Sequence, residues 1–330
     1  MRSKRTMHGS TWCLAAAAAA LVVALLSATA TAQTFPERTI KLVVPVPPGG
    51  STDAVARLVT ARLQASLGQA VIIENQAGGG GVIAARAVAG AKPDGYTLLI
   101  GGIGTLALQP AAKFAEFNAA TAFTPVATVA TDTMVLAVNP KVPADTLDAF
   151  VRYGRTTHGK LNYGAAPGIA PHFVSELFRL KTGTDIVHIP YKGAGPAITD
   201  LIAGQIEMMF NNKSVLLQLI RQGRLRALAV TAAQRWPELP DVPTLTEAGI
   251  FPYPIEVWSG IVAPAGMPRA VVARLNGAIN EALGSAELKA SFAGLGIEPR
   301  VTTPEDFAAL LAEDAPRWLD IIRITGIKLE

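Results

Sequence analysis

The chain of 330 residues predicts an α/β protein with two doubly wound sheets and a ligand cleft between them. Short apolar runs alternate with helical segments along nearly its whole length, and the turns that follow those runs are rich in glycine and hydroxyl residues. The strands are also too many for one sheet of ordinary width, so two domains are expected.

The first residues read as a leader. Arg2, Lys4 and Arg5 precede an apolar run over 14–26, and the small residues Ala30, Thr31 and Ala32 follow. This pattern predicts a secretory signal peptide over 1–32, cleaved after Ala32 and delivering the protein to the periplasm. Thirteen residues rich in alanine are short for a membrane-spanning helix. The single cysteine, Cys13, lies in this leader, so the mature chain has no disulfide and must hold its fold by core burial. Without the three leading basic residues the formal charge of +4 falls to +1. Nothing then suggests the concentrated basic face of a nucleic-acid binder.

In the order of the chain, IKLVVPV (40–46) reads as a buried strand that runs through Pro47 and Pro48 into Gly49 and Gly50. A helix over 51–67 follows. Gly50, Ser51, Thr52 and Asp53 fall where a helix leaves its first N–H groups unpaired, a place suited to an anion. The plain alternative is a capped helix with Asp53 complementing the dipole. A strand over 70–74, the glycines 78–81, a helix to about 90 and a strand over 96–100 complete a β-α-β-α-β unit. From Met134 the alternation restarts. Strands are expected at 134–138, 161–164, 185–189, 205–210 and 225–231, with helices over 146–155, 171–181, 196–203 and 214–222 between them. The proline-rich segment 236–249 reads as a loop, 258–263 as a strand, and the remainder as helical, with Pro268 and Pro304 in first turns. The loops 49–53, 78–81, 101–105, 164–172 and 191–195 all follow strands and are expected to line one cleft.

The chemistry-bearing motifs are weak. Gly79, Gly81 and Ala84 satisfy G-x-G-x-x-A, yet the next strand ends Leu99-Ile100-Gly101 where a dinucleotide site needs an acid. The run Gly49 to Asp53 misses G-x-S-x-G because Asp53 stands in place of the second glycine. His158, His172 and His188 have no metal-ligand spacing, and no close pair of carboxylates is visible. His188 reads as a hydrogen-bonded core residue, whereas His172 starts a helix in a candidate loop. No cofactor, no metal and no catalytic residues are expected, and binding is favoured over chemistry.

Several segments resemble, in order, the Bug/TctC family, the periplasmic solute receptors of tripartite tricarboxylate transporters. They are FPERTIKLVVPVPPGGSTD (35–53), IIENQAGGGG (72–81), KPDGYTLL (92–99), TPVATVATDTMVLAVNP (124–140), YKGAGPAITDLIAGQIEMMF (191–210), GRLRALAVT (223–231), LPDVPTLTEAG (239–249) and VWSGIVAPAGMP (257–268). The resemblance implies a two-domain periplasmic-binding-protein type II fold. Domain 1 would be discontinuous, 33–131 plus 258–330, and domain 2 would span 132–257. It also implies a small carboxylate held by backbone N–H groups, hydroxyls and water, delivered by a monomer to membrane permease subunits. A sensor kinase reading the same carboxylate is the alternative partner. The implied ligand-binding set is Gly50, Ser51, Thr52, Asp53, Gly78, Gly79, Gly80 and Thr105 from domain 1, with Ala165, Ala170, His172, Tyr191 and Glu207 from domain 2. Departures from the family pattern concentrate there. Ala165, Ala166 and Ala170 replace hydroxyls, Glu207 and Asn211 stand where aspartates are usual, and Gly102 replaces a frequent hydroxyl.

Overall fold

A computed structural model of the protein describes residues 35–49, 51–108, 119–156 and 161–327. Gly50, His158, Cys13 and the predicted leader lie outside the described residues. Residues Arg38–Glu330 form one compact unit, to which the following account refers.

Ten strands are joined in the order β2-β1-β3-β9-β4-β7-β5-β6, with β10 and β8 each paired to β4. The first group contains β1 (Ile40–Val44), β2 (Val71–Asn75) and β3 (Thr97–Gly102), parallel to one another. The second contains β5 (Leu161–Ala165), β6 (Ile186–Pro190) and β7 (Met208–Asn212), again parallel. Their strands are apolar because helices cover them: Leu42, Val44 and Ile100, like Tyr163 and Phe210, are fully buried.

The two groups meet at β4 (Phe123–Val138) and β9 (Glu256–Pro264). Over Phe123–Thr133, β4 pairs antiparallel with β9; over Met134–Val138 it pairs with β7 on one side and β8 (Arg226–Val230) on the other. The strand expected only from Met134 thus begins eleven residues earlier, at Phe123. Shifts of register between Pro125 and Ala127 and between Thr128 and Ala130 explain the difference, since each bulge breaks the alternation that marks a strand in sequence. The short β10 (Glu298–Pro299) pairs with Ala130 and Thr131.

Helices follow the parallel strands: α1 (Ser51–Leu67) and α2 (Val82–Ala89) in the first group, then, beyond the one-turn α3 (Ala119–Ala122), α4 (Leu147–Thr156), α5 (Ala170–Thr182), α6 (Ala194–Ala203) and α7 (Lys213–Arg221). After β9 come α8 (Arg269–Gly284), α9 (Ala286–Gly294) and α10 (Pro304–Thr325). Pro268 is the residue before α8 and Pro304 the first residue of α10, where a missing N–H costs nothing. Thr303 and Asp306 close a capping box at the start of α10. That helix packs against both groups: Phe307 meets Trp258 of β9 edge-on at 5.5 Å, and Trp318 meets Phe173 of α5 at 6.4 Å.

Candidate functional site

The carboxyl ends of β1, β2 and β3 converge on a cavity of about 400 Å³, where ligands of open α/β sheets are found. Pro45, Val46 and Pro47 follow β1, Thr52 and Val55 come from α1, and Gly102, Ile103, Gly104 and Thr105 follow β3. Gly78, Gly80 and Gly81 follow β2. All four glycines 78–81 have positive φ, between 55° and 132°, which side chains rarely tolerate. The turn therefore brings main chain up to the cavity.

Asp53 does not face the cavity. It is buried, and Arg57 holds it with two hydrogen bonds, Nε to Oδ2 at 2.9 Å and Nη2 to Oδ1 at 3.1 Å. The Gly49 N–H donates to Oδ2 at 2.9 Å and Asn75 Nδ2 to Oδ1 at 2.9 Å. Burial works to raise this carboxyl, but the hydrogen bonds from Arg57, Gly49 and Asn75, with the Arg57 charge, bring it down to about 2. Asn75 also donates to the Val46 carbonyl at 3.0 Å, so one polar cluster ties the β1 exit loop to the end of β2 and the first turn of α1.

The opposite wall differs from the expectation. Of the 164–172 loop only Ile169 lines the cavity, while Ala165 and Ala170 are buried in the core. His172 turns inward: its ring stacks on His188 at 4.0 Å, and its Nδ1 accepts the Gly168 N–H at 3.2 Å. Burial, and then the charge of His188, push His172 down to about 4, partly offset by Glu176. His188 is only half-buried; its Nε2 lies 3.0 Å from the Ala165 carbonyl. The Tyr191 hydroxyl donates to Asp200 at 2.7 Å, and burial together with that carboxylate raises it to about 12. Glu207 precedes β7, at the end remote from the cavity-lining Asn212, and its Oε2 accepts the Asn162 N–H at 2.6 Å. Gly79, Ala165, Ala170, His172, Tyr191 and Glu207 are thus not among the lining residues.

Residues that sequence reasoning missed take their place: Thr131, Asp132, Asn212, Val257, Trp258, Ser259 and Ile297. They come from the middle of β4, the end of β7, β9 and the approach to β10, positions set by long-range pairing. Gly102 has a local reason as well. A Cβ there would come within 2.8 Å of the Trp258 carbonyl oxygen, so the closeness of β9 leaves no room for a side chain at this position.

Among the described residues lining the cavity there is no lysine, arginine or histidine, and Asp132 is the single charged side chain. Hydroxyls of Thr52, Thr105, Thr131 and Ser259 stand between apolar surfaces from Val55, Ile103, Val257 and Trp258. Such a cavity can hold a short carbon skeleton and hydrogen-bond polar ends. Among the described residues no group of three or more histidine, cysteine, aspartate or glutamate side chains could hold a metal, and no helix is long and apolar enough to cross a membrane.

Among solved structures, the periplasmic binding protein BugD is 31% identical and superposes with a TM-score of 0.79 over 89% of this chain and 99% of that one. MatC from Rhodopseudomonas palustris, with bound malate, is 34% identical and superposes with a TM-score of 0.77 over 87% of this chain and all of MatC. Rpa4515 of the same organism, with adipate, is 36% identical, with a TM-score of 0.81 over 89% of this chain and 99% of that one. In sequence, protein BugT of Bordetella pertussis is 38% identical over 316 residues, 94% of this chain and 96% of the relative. The model of the tripartite tricarboxylate transporter family receptor matches residues 55–327, and the chain belongs to that family.

Proposed function

We propose that this receptor captures a small carboxylate in the cavity at the ends of β1, β2 and β3, works as a monomer in the periplasm, and hands its ligand to membrane permease subunits. The observation that carries the reading is the lining itself: glycine main chain and threonine and serine residues alternate with apolar side chains, and no cationic side chain is among the described lining residues. Backbone N–H groups and hydroxyls give charge-assisted hydrogen bonds to a carboxylate, and a bridging water loses little enthalpy relative to a direct hydrogen bond. The malate and adipate held by MatC and Rpa4515 are solutes of this class.

In this reading Ser51 and Thr52 in the first turn of α1, Gly78 and Gly80 after β2, and Thr105 after β3 hold one carboxylate. Asp53 supports the loop behind them. Residues 33–131 plus 258–330 and residues 132–257 act as two domains that close on the solute, with the cavity at their junction. The site binds its solute without turning it over.

Isothermal titration against adipate, malate, citrate, benzoate and aspartate tests the reading. Saturable binding of at least one carboxylate is expected. Binding of a sugar or a polyamine with no carboxylate bound would sink it.

A further inference from the structure

Asp132 stands on β4 just before that strand passes from β9 to β7 and β8, and it is the one charged side chain among the described lining residues. Its Oδ2 accepts the Ser214 hydroxyl at 2.5 Å, its Oδ1 accepts the Thr133 N–H at 2.8 Å, and the Ser214 main chain adds a third donor. Ser214 is the second residue of α7, so Asp132 also closes the open first turn of that helix.

None of these donors is a cation. Lys213, the cation whose charge acts on Asp132, is paired with Glu238 at 3.0 Å and lies over the Trp236 ring. Asp132 also lines a second cavity, together with Lys213, Glu256 of β9, Glu298 of β10 and Arg235 after β8. Arg235 is paired with Glu247, and Glu256 with Arg300. Burial pushes the Asp132 carboxyl up to about 7, against the hydrogen bonds of Ser214 and Thr133 and the charge of Lys213.

A carboxylate ligand in this cavity would place a second negative charge beside Asp132, with no cation among the described lining residues to pair with either one. Like charges in a desolvated site do not both stay ionised. We propose that Asp132 is a ligand-contacting, specificity-determining residue that acts as a neutral acid, its O–H donating a hydrogen bond to a carboxylate oxygen of the solute. Where the free protein has Asp132 ionised, each ligand is then bound with one proton taken from solvent, and no covalent bond to the solute is made or broken. A neutral carboxyl still offers lone pairs to Ser214 and Thr133, so the α7 turn stays closed.

This assignment rests on the carboxylate-receptor reading and deepens it. The sign follows from linkage. A bound anion raises the Asp132 pKa above its free value, so affinity is full below about pH 7 and falls about tenfold per pH unit above it while the complex keeps its proton.

Titration of the tightest non-amino binder among adipate, malate, citrate and benzoate, in two buffers of different ionisation enthalpy, counts the protons directly. Uptake near one proton per ligand is expected at about pH 8, with dissociation constants weakening about fivefold between pH 7 and pH 8 and approaching about tenfold per unit beyond. Asp132→Asn, which keeps the shape of a neutral acid, should abolish both effects and bind at about pH 8 as tightly as the unaltered protein does at about pH 6. Carboxylate binding by the unaltered protein with no proton exchange would overturn the role of Asp132 alone, and this result needs no variant to fold. Selective loss of aspartate by Asp132→Asn would overturn it too, by showing an ionised Asp132 that holds an ammonium group. If no carboxylate bound at any pH, the receptor reading would fall and this inference with it.

Discussion

A methyl group on Gly81 would overlap the hydroxyl of Thr105, so the glycine turn after β2 and the turn after β3 touch with no room for a Cβ between them. Pro45 Cβ stands 3.1 Å from the same point, which brings the β1 exit loop to the contact as well. Gly81 also has a φ of 96°, unfavourable for any side chain.

Gly81→Ala should therefore cost about 2–4 kcal/mol of stability, from backbone strain and overlap together, and weaken carboxylate binding at least about tenfold. Urea denaturation and titration calorimetry measure the two effects. Adding Thr105→Ala should return only the overlap part of the stability loss. Full recovery in the double variant would mean that φ is not strained.

The cluster around Asp53 predicts support of the loop and no direct ligand contact. Asp53→Ala should weaken aspartate and its deaminated analogue succinate by the same factor and lower stability by about 1–2 kcal/mol. A much larger loss for aspartate alone would place Asp53 at the ligand. Because Arg57, Gly49 and Asn75 hold its pKa below the ordinary value, its contribution is present above about pH 4 and is lost as pH falls toward about 2.

Trp258 Nε1 donates to the buried carboxylate of Asp314 at 2.5 Å while the same residue lines the cavity. Trp258→Phe should cost about 1–3 kcal/mol, since it leaves Asp314 buried without that donor. Ligand binding should change the intrinsic fluorescence of the protein, and the variant should lose most of that change. An undiminished signal in Trp258→Phe would move the reporter to another tryptophan.

His172 is held neutral. Its pKa lies at about 4, below the ordinary value of about 6.5, so its contribution to stability is full above that value and is lost as pH falls between the two. His188 and Glu176 are the charged neighbours acting on it. Denaturant midpoints should drop over this window by the equivalent of about 1–3 kcal/mol, and His172→Phe should remove that part of the slope. An unchanged slope would assign the acid sensitivity to other groups.

The first wall of the cavity was legible because each of its pieces is local. A strand, a run of prolines or glycines and a helix start sit within a dozen residues, and their turn chemistry is written in adjacent positions. The second wall was not. Ala165 and Ala170 are small enough to be absorbed by the core, and the direction of His172 is decided by Gly168 and His188. Asp132 sits in a threonine-rich run ahead of the strand expected from Met134, and its partner Ser214 lies 82 positions away. The front of β4 was missed for a related reason: Pro125 and two bulges hide a strand whose existence depends on β9.

That dependence sets an order of events. Phe123 pairs with Pro264 and Thr133 with Glu256, so the central ladder waits for chain made long after β1, β2 and β3 are complete. Until residues of β9 arrive, β3 and the front of β4 are unpaired edges, open to other chains. A nascent or truncated protein ending before β9 should aggregate, and the full chain should close slowly and all at once. The strand pair that joins the two walls of the binding cavity thus forms only after the strands of both parallel groups have been made.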